Sequence, residues 1–151
     1  MDSTLTIRTI QQTDRAQWAL LWRDYLAFYE TKLPDSIYDA TFARYSDPGV
    51  TDMQGWIAWD GETPVGLVHA IAHPHGWRVE PVTYLQDLFT TPAARGKGVA
   101  RALIETVYAD ADAAGRPAVY WLTQTGNTTA RLLYDKIAKA TDFMVYRRVM
   151  G

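Results

Sequence analysis

The alternation of apolar and polar residues divides the chain into a readable series of elements. Leu5–Arg8 reads as a short strand, and Thr13-Asp14 after it is a helix-start signal. Trp18, Leu21, Trp22, Tyr25 and Phe28 recur at helical spacing and mark one helix face. Pro34-Asp35-Ser36 opens a second helix, which ends near Asp47-Pro48-Gly49. Gly55–Trp59 and Pro64–Ala72 read as strands joined through Asp60-Gly61, a hairpin signal. After a loop marked by Pro74, Gly76 and Pro81, Val82–Thr90 is rich in β-favouring residues. Val99, Ala102, Leu103, Val107 and Ala111 then form a helical stripe that Gly115 closes. Pro117–Thr123 reads as a short buried strand, Ala130, Leu133, Tyr134 and Ile137 as a helix face, and Phe143–Val149 as a final strand. The order β-α-α-β-β-β-α-β-α-β predicts an α+β domain over 1–151. Its sheet is mixed and mostly antiparallel, with one β-α-β crossover from Val82 to Thr123.

Composition narrows this to one globular domain. The chain has 151 residues, 48% hydrophobic and 21% charged, far from the profile of a disordered segment. It contains no cysteine, which excludes disulfides, thiolate metal sites and a cysteine nucleophile. The opening residues lack a basic stretch followed by an apolar run, and Trp18–Trp22 is too short to cross a bilayer, so a soluble, cytoplasmic protein without membrane contact is expected. A formal net charge of −2 argues against non-specific nucleic-acid binding. The charge is uneven, however. Residues 1–94 carry 6 Lys and Arg against 12 Asp and Glu, whereas 95–151 carry 9 against 5. Such a split fits an ordinary solvated surface, and it also fits an anion held by the second half and a cation facing the first.

The motifs favour the second explanation. The run Leu88-Phe89-Thr90-Thr91-Pro92-Ala93-Ala94-Arg95-Gly96-Lys97-Gly98-Val99-Ala100-Arg101 passes from strand through loop into helix. Gly96 and Gly98 remove the Cβ atoms that would hold a ligand off the backbone. The first helical N–H groups have no partner within the helix, the macrodipole makes that end positive, and Arg95, Lys97 and Arg101 add full charges. These are the physical parts of a phosphate site. A Walker loop is absent, and a dinucleotide fingerprint would place a third glycine where Arg101 stands. A tight helix-entry turn alone would also explain Gly-Lys-Gly.

Taken together, Arg95-Gly96-Lys97-Gly98-Val99-Ala100 resembles the acetyl-CoA motif of the GNAT superfamily of N-acetyltransferases. Tyr84–Phe89 is similar to that family's central strand, and Tyr120-Trp121-Leu122-Thr123 to its splayed neighbour. Asn127 followed by Tyr134 resembles its second signature. The likeness covers roughly residues 82–148 and is nearest the small histone- and polyamine-acetyltransferase type. It implies two parallel strands that diverge into a V-shaped gap for acetyl-CoA. The pantetheine arm would pair with the main chain of Leu88, Phe89 and Thr90. The pyrophosphate would rest on the amides of Gly96, Lys97, Gly98, Val99, Ala100 and Arg101, and Asn127 would bond the pantetheine arm.

The chemistry implied is direct attack of a primary amine on the thioester in a ternary complex, since an acetyl-cysteine cannot form. The acceptor is a small amine or polyamine, or a protein lysine. An alkyl ammonium must first lose a proton to a base, and backbone N–H at a bulge near Leu88–Phe89 would polarise the thioester carbonyl. Tyr134 is the candidate acid for the departing CoA thiolate. Polyamine-type relatives often carry Glu-Asp where this chain has Gln86-Asp87, and Gln86 cannot serve as that base. Asp87, whose side chain is expected on the opposite strand face from Gln86, stays a candidate beside Glu30, His69 and Tyr29. His69, His73 and His75 lack a carboxylate pattern and are interrupted by Pro74, so no metal is expected, and His73 and His75 read as solvated loop residues. Trp18 reads as core, and Tyr29 and Glu30, which precede the loop that borders the acceptor site in this superfamily, as acceptor contacts. The alternative function is a non-catalytic acyl-CoA sensor. Room for a single terminal strand suggests a homodimer that covers the open edge.

Overall fold

In the computed structural model, which describes residues 5–150, the strands are β1 (Leu5–Thr9), β2 (Met53–Asp60), β3 (Thr63–His73), β4 (Val82–Thr90) and β5 (Val119–Tyr120). They form one sheet in the order β1-β2-β3-β4-β5, antiparallel except for the parallel pair β4–β5. The helices are α1 (Arg15–Phe28), α2 (Asp35–Ser46), α3 (Val99–Ala113) and α4 (Thr128–Ile137). The mixed α+β architecture expected from the sequence is therefore the one observed. The chain packs as two compact units, one ending at Trp121 and the other beginning at Leu122.

In the first unit the sheet is covered on both faces, so β2 and β3 carry continuous buried runs at Gly55–Trp59 and Val65–Ala70. Trp18, Leu21, Trp22 and Leu26 from α1 join Phe42 and Tyr45 from α2 in one core with Ile57, Leu67 and Phe89. Phe28, expected on the same stripe, lies in the last turn of α1 and is exposed. Val99, Leu103, Ile104, Val107 and Ala111 bury the α3 stripe against the other sheet face. Gly66 permits that approach: a Cβ there would stand 2.8 Å from Val99 Cγ1 and 3.0 Å from Leu103 Cδ1.

Two local features bear on the site. Helix α1 ends with the Glu30 N–H on the Ala27 carbonyl and the Thr31 N–H on Leu26, the double bond of a Schellman cap. The left-handed position usually given to glycine is held here by Glu30 at φ 55, whereas Gly115 at φ 73 takes the same place after α3. In β4, His69 pairs with Asp87 but Ala70 with Leu85, so Gln86 is an extra residue and forms a β-bulge. The bulge thus lies at Gln86, not near Leu88–Phe89 as the sequence suggested.

The C-terminal third departs most from expectation. The strand expected over Pro117–Thr123 reduces to Val119–Tyr120, neither of them buried, because only Thr83 and Tyr84 of β4 pair with it. Within the second unit α4 forms where its apolar stripe predicts, and the Arg131 guanidinium donates to the Thr125 carbonyl at 2.8 Å. No strand forms at Phe143–Val149 among the described residues. β-propensity describes fit to a paired, half-buried surface, and these residues are exposed. No helix among the described residues is long and apolar enough to cross a membrane.

Candidate active site

The turn before α3 is a cradle of backbone amides. A 3₁₀ turn at Pro92–Ala94 leads into Arg95, and Gly96 and Gly98 adopt φ values of 77 and 81. These angles are cheap only for glycine, and a Cβ at either position would project into open space. The α3 ladder begins with the Ala102 N–H on the Gly98 carbonyl, so the N–H groups of Val99, Ala100 and Arg101 precede it and face out of the helix end. Arg95 and Lys97 are exposed beside them, while Arg101 pairs with Glu105 at 3.5 Å. Val99 contributes its amide here and buries its side chain in the core.

Strand β4 offers the second part. Beyond Thr83 and Tyr84 it has no strand partner on the β5 side among the described residues. The Thr91 N–H bonds Val65 of β3, so by alternation Phe89 also turns its main chain toward β3, and Leu88 and Thr90 turn theirs toward the open edge. Of the expected trio, Leu88 and Thr90 present backbone groups there, whereas Phe89 places its ring in the core. No bulge is needed for a Leu88 N–H to face that edge.

The third part was not legible as a unit. His69, fully buried on β3, faces Asp87 across the ladder with Nδ1 2.8 Å from Oδ2. Trp18 donates its indole N–H to His69 Nε2 at 3.0 Å, and Trp22 donates to Asp87 Oδ2 at 3.3 Å. The Tyr25 hydroxyl is within hydrogen-bonding reach of the same carboxylate. Burial pushes the Asp87 carboxyl up, but the hydrogen bonds of the His69, Tyr25 and Trp22 donors outweigh it and hold Asp87 below the usual carboxylate range. Burial, then the Asp87 charge, pushes the Tyr25 phenol upward, so its hydroxyl keeps its proton. Gln86 is exposed and Asp87 is buried, the opposition expected for neighbours on a strand.

This arrangement explains the aromatic stripe in a way that burial alone does not. Residues 18, 22 and 25 each carry a donor at the end of an apolar ring, a signal the sequence contains. Nearby, Tyr29 is 39% exposed and packs edge-on to Tyr25. His73 is the last residue of β3 and is half-buried, with Nε2 2.8 Å from the Tyr120 hydroxyl, so it is not the solvated loop residue expected; His75 is exposed. A cleft of about 560 Å³ between Thr9–Thr13, the end of α2 and the start of β2 shares only Tyr45 with these groups.

Asn127 and Tyr134 belong to the second unit. Asn127 caps α4, its carbonyl receiving the Arg131 N–H at 3.1 Å, and Tyr134 stands two turns along, half-buried beside Leu133 and Ile137. An offset of seven puts both on one helix face.

Residues 15–138 match the model of the acetyltransferase (GNAT) family. The chain belongs to that family. It is 42% identical over 150 residues to the D-amino-acid N-acetyltransferase HPA3 of Saccharomyces cerevisiae, covering 98% of this chain and 92% of that protein. Two solved structures share the fold. The complex of AAC(6')-Iy with the bisubstrate analogue CoA-S-monomethyl-acetylneamine aligns with a TM-score of 0.83 at 20% identity, over 97% of this chain and 99% of that one. A ribosomal-protein-alanine N-acetyltransferase from Brucella melitensis biovar Abortus 2308 aligns at 0.80 and 20% identity, again over 97% and 99%. As a GNAT N-acetyltransferase, this chain must position an acyl donor and a nucleophilic nitrogen.

Asp87 is expected to make the fold of this acetyltransferase sensitive to acid. A carboxyl held below its unfolded value stabilises the fold above the ordinary carboxylate range, and that contribution is lost as pH falls through the folded value. Melting temperatures taken from pH 6 down to about 3 are expected to fall less steeply for Asp87→Asn than for the parent. Parallel curves would show that Asp87 carries no such linkage.

Proposed function

We propose that the protein transfers acetyl from acetyl-CoA to the primary amine of a small molecule, with D-amino acids as the first class to test. The observation that carries this reading is the junction of the β4 open edge with the α3 amide cradle. Leu88 and Thr90 offer main-chain groups to a pantetheine arm, and the amides from Gly96 to Arg101, with Arg95 and Lys97, suit a pyrophosphate. The unfilled space over Gly96 and Gly98 fits a ligand lying against the backbone. When bound, acetyl-CoA supplies the activated acyl group. The protein's part is to hold it, to direct the Leu88 N–H at the thioester carbonyl and to admit a nucleophile. Without cysteine the acetyl group passes directly to the amine. Asn127 would bond the cosubstrate arm, and Tyr134 would return a proton to the departing sulfur.

The acceptor class rests on the relationship to the D-amino-acid N-acetyltransferase. Thiol release from acetyl-CoA, measured with D-amino acids, their L-enantiomers, polyamines and a lysine peptide, tests it. Turnover confined to D-amino acids supports the reading, preference for the peptide moves the acceptor to protein lysine, and acetyl-CoA binding without thiol release would identify a sensor.

The cytoplasmic location expected from the sequence belongs to this reading, as does a homodimer. The exposed C-terminal segment supports the latter: Phe143 is 83% exposed and Tyr146 and Val149 are each 92% exposed, apolar surface of the kind a second copy buries. Light scattering at micromolar concentration is expected to give twice the 17.0 kDa chain mass, and a single-chain mass would remove the dimer.

A further inference from the structure

Trp18, Trp22 and Tyr25 occupy positions i, i+4 and i+7 of α1, so their polar tips project from one helix face. All three tips meet one cross-strand pair, His69 and Asp87. An indole nitrogen only donates. The Trp18 N–H therefore fixes His69 Nε2 as an acceptor, and the ring proton sits on Nδ1, where it donates to Asp87 Oδ2. Tyr45 lies almost flat on the imidazole, 3.9 Å between centroids and 9° between planes, and opposes the ring flip that would exchange the two nitrogens.

A neutral imidazole bonded to a carboxylate leaves one net negative charge inside the protein. Such a charge is tolerable only with donors on it, and His69, Trp22 and Tyr25 supply them. With three donors, Asp87 is a weak proton acceptor, so its value lies in its charge and direction. The Tyr25 hydroxyl satisfies Asp87 by turning its hydrogen inward, which leaves its oxygen lone pairs facing away from the carboxylate. Tyr25 is half-buried, and its ring stands edge-on to Phe89, between Leu88 and Thr90 of the open edge.

We infer that Tyr25 Oη accepts an N–H of the incoming primary amine, and that Asp87 and His69 are positioning residues which fix the direction of that hydroxyl. The inference rests on the reading of the protein as an amine acetyltransferase. Tyr25 presents lone pairs backed by a negative charge, so at the reacting nitrogen this contact selects an N–H donor.

Steady-state kinetics with varied amine at saturating acetyl-CoA, on Tyr25→Phe and Asp87→Asn in the full chain, test this. In Asp87→Asn the amide oxygen keeps the His69 and Trp22 bonds, while the amide nitrogen donates to Tyr25 and turns its hydrogen outward, against the amine. The amine KM is expected to rise about ten- to a hundredfold in Tyr25→Phe and further in Asp87→Asn, with the acetyl-CoA KM unchanged. An unchanged amine KM in Tyr25→Phe overturns the inference, and so does a rise in both KM values together. That variant keeps its ring against Tyr29 and Phe89, so it decides the matter even if Asp87→Asn fails to fold. A parent that binds acetyl-CoA yet acetylates no amine overturns the proposed function instead, which separates the two failures.

Discussion

Replacing Tyr134 with phenylalanine is expected to lower turnover by about 10² to 10⁴, the scale of a lost general acid, with melting temperature and acetyl-CoA affinity near those of the parent. The expectation follows from the reaction. As the amine displaces CoA, the sulfur leaves as a thiolate, and a phenol of ordinary pKa near ~10 can hydrogen-bond it or give it a proton. Tyr134 shares its helix face with the cap residue Asn127 and its stripe with Leu133 and Ile137. Phenylalanine retains the ring for that packing and removes only the hydroxyl. Unchanged turnover would make the hydroxyl dispensable and leave protonation to water.

Gly98→Val is expected to weaken acetyl-CoA binding by about ten- to a hundredfold, the equivalent of one or two lost hydrogen bonds to a charged group. The cause is twofold. Gly98 sits at φ 81, where a β-branched residue is strained, and its absent Cβ leaves open the space over the α3 amides. Lys97→Ala removes a screened surface charge without disturbing that geometry, so its effect should be smaller and should shrink as salt rises. Calorimetry on both variants at two salt concentrations checks the order. Normal affinity in Gly98→Val would place the anion elsewhere.

The cradle was legible because its chemistry is local: Gly96, Gly98, a proline-led turn and a helix start lie within one short run. The His69–Asp87 pair was not, although both residues stood out as candidates. Which residues oppose each other across a ladder depends on register, and one inserted residue at Gln86 sets that register. Trp18 and Trp22 were read by their apolar bodies, which are indeed buried, while the destination of each indole N–H depended on the strands they pack against. The terminal segment misled because Phe143, Val145 and Val149 favour strands in general, and a strand exists only where a ladder forms.

The inserted Gln86 also works as a shift of phase. In a regular strand, residues two apart share a face, so Leu85 and Asp87 would point the same way. With the extra residue, Tyr84 shares the face of Asp87 across a spacing of three, while Leu85 turns to the side that Gly66 opens to α3. A chain shortened by one residue at this point would pair regularly, and Tyr84 and Leu85 would keep their faces at the ordinary spacings of two and one from Asp87. Only a strand that kept Gln86 and lost the bulge would turn Tyr84 toward α3 and Leu85 toward the carboxylate. The bulge thus lets β4 carry one surplus exposed residue beside Asp87 without disturbing the faces on either side of it.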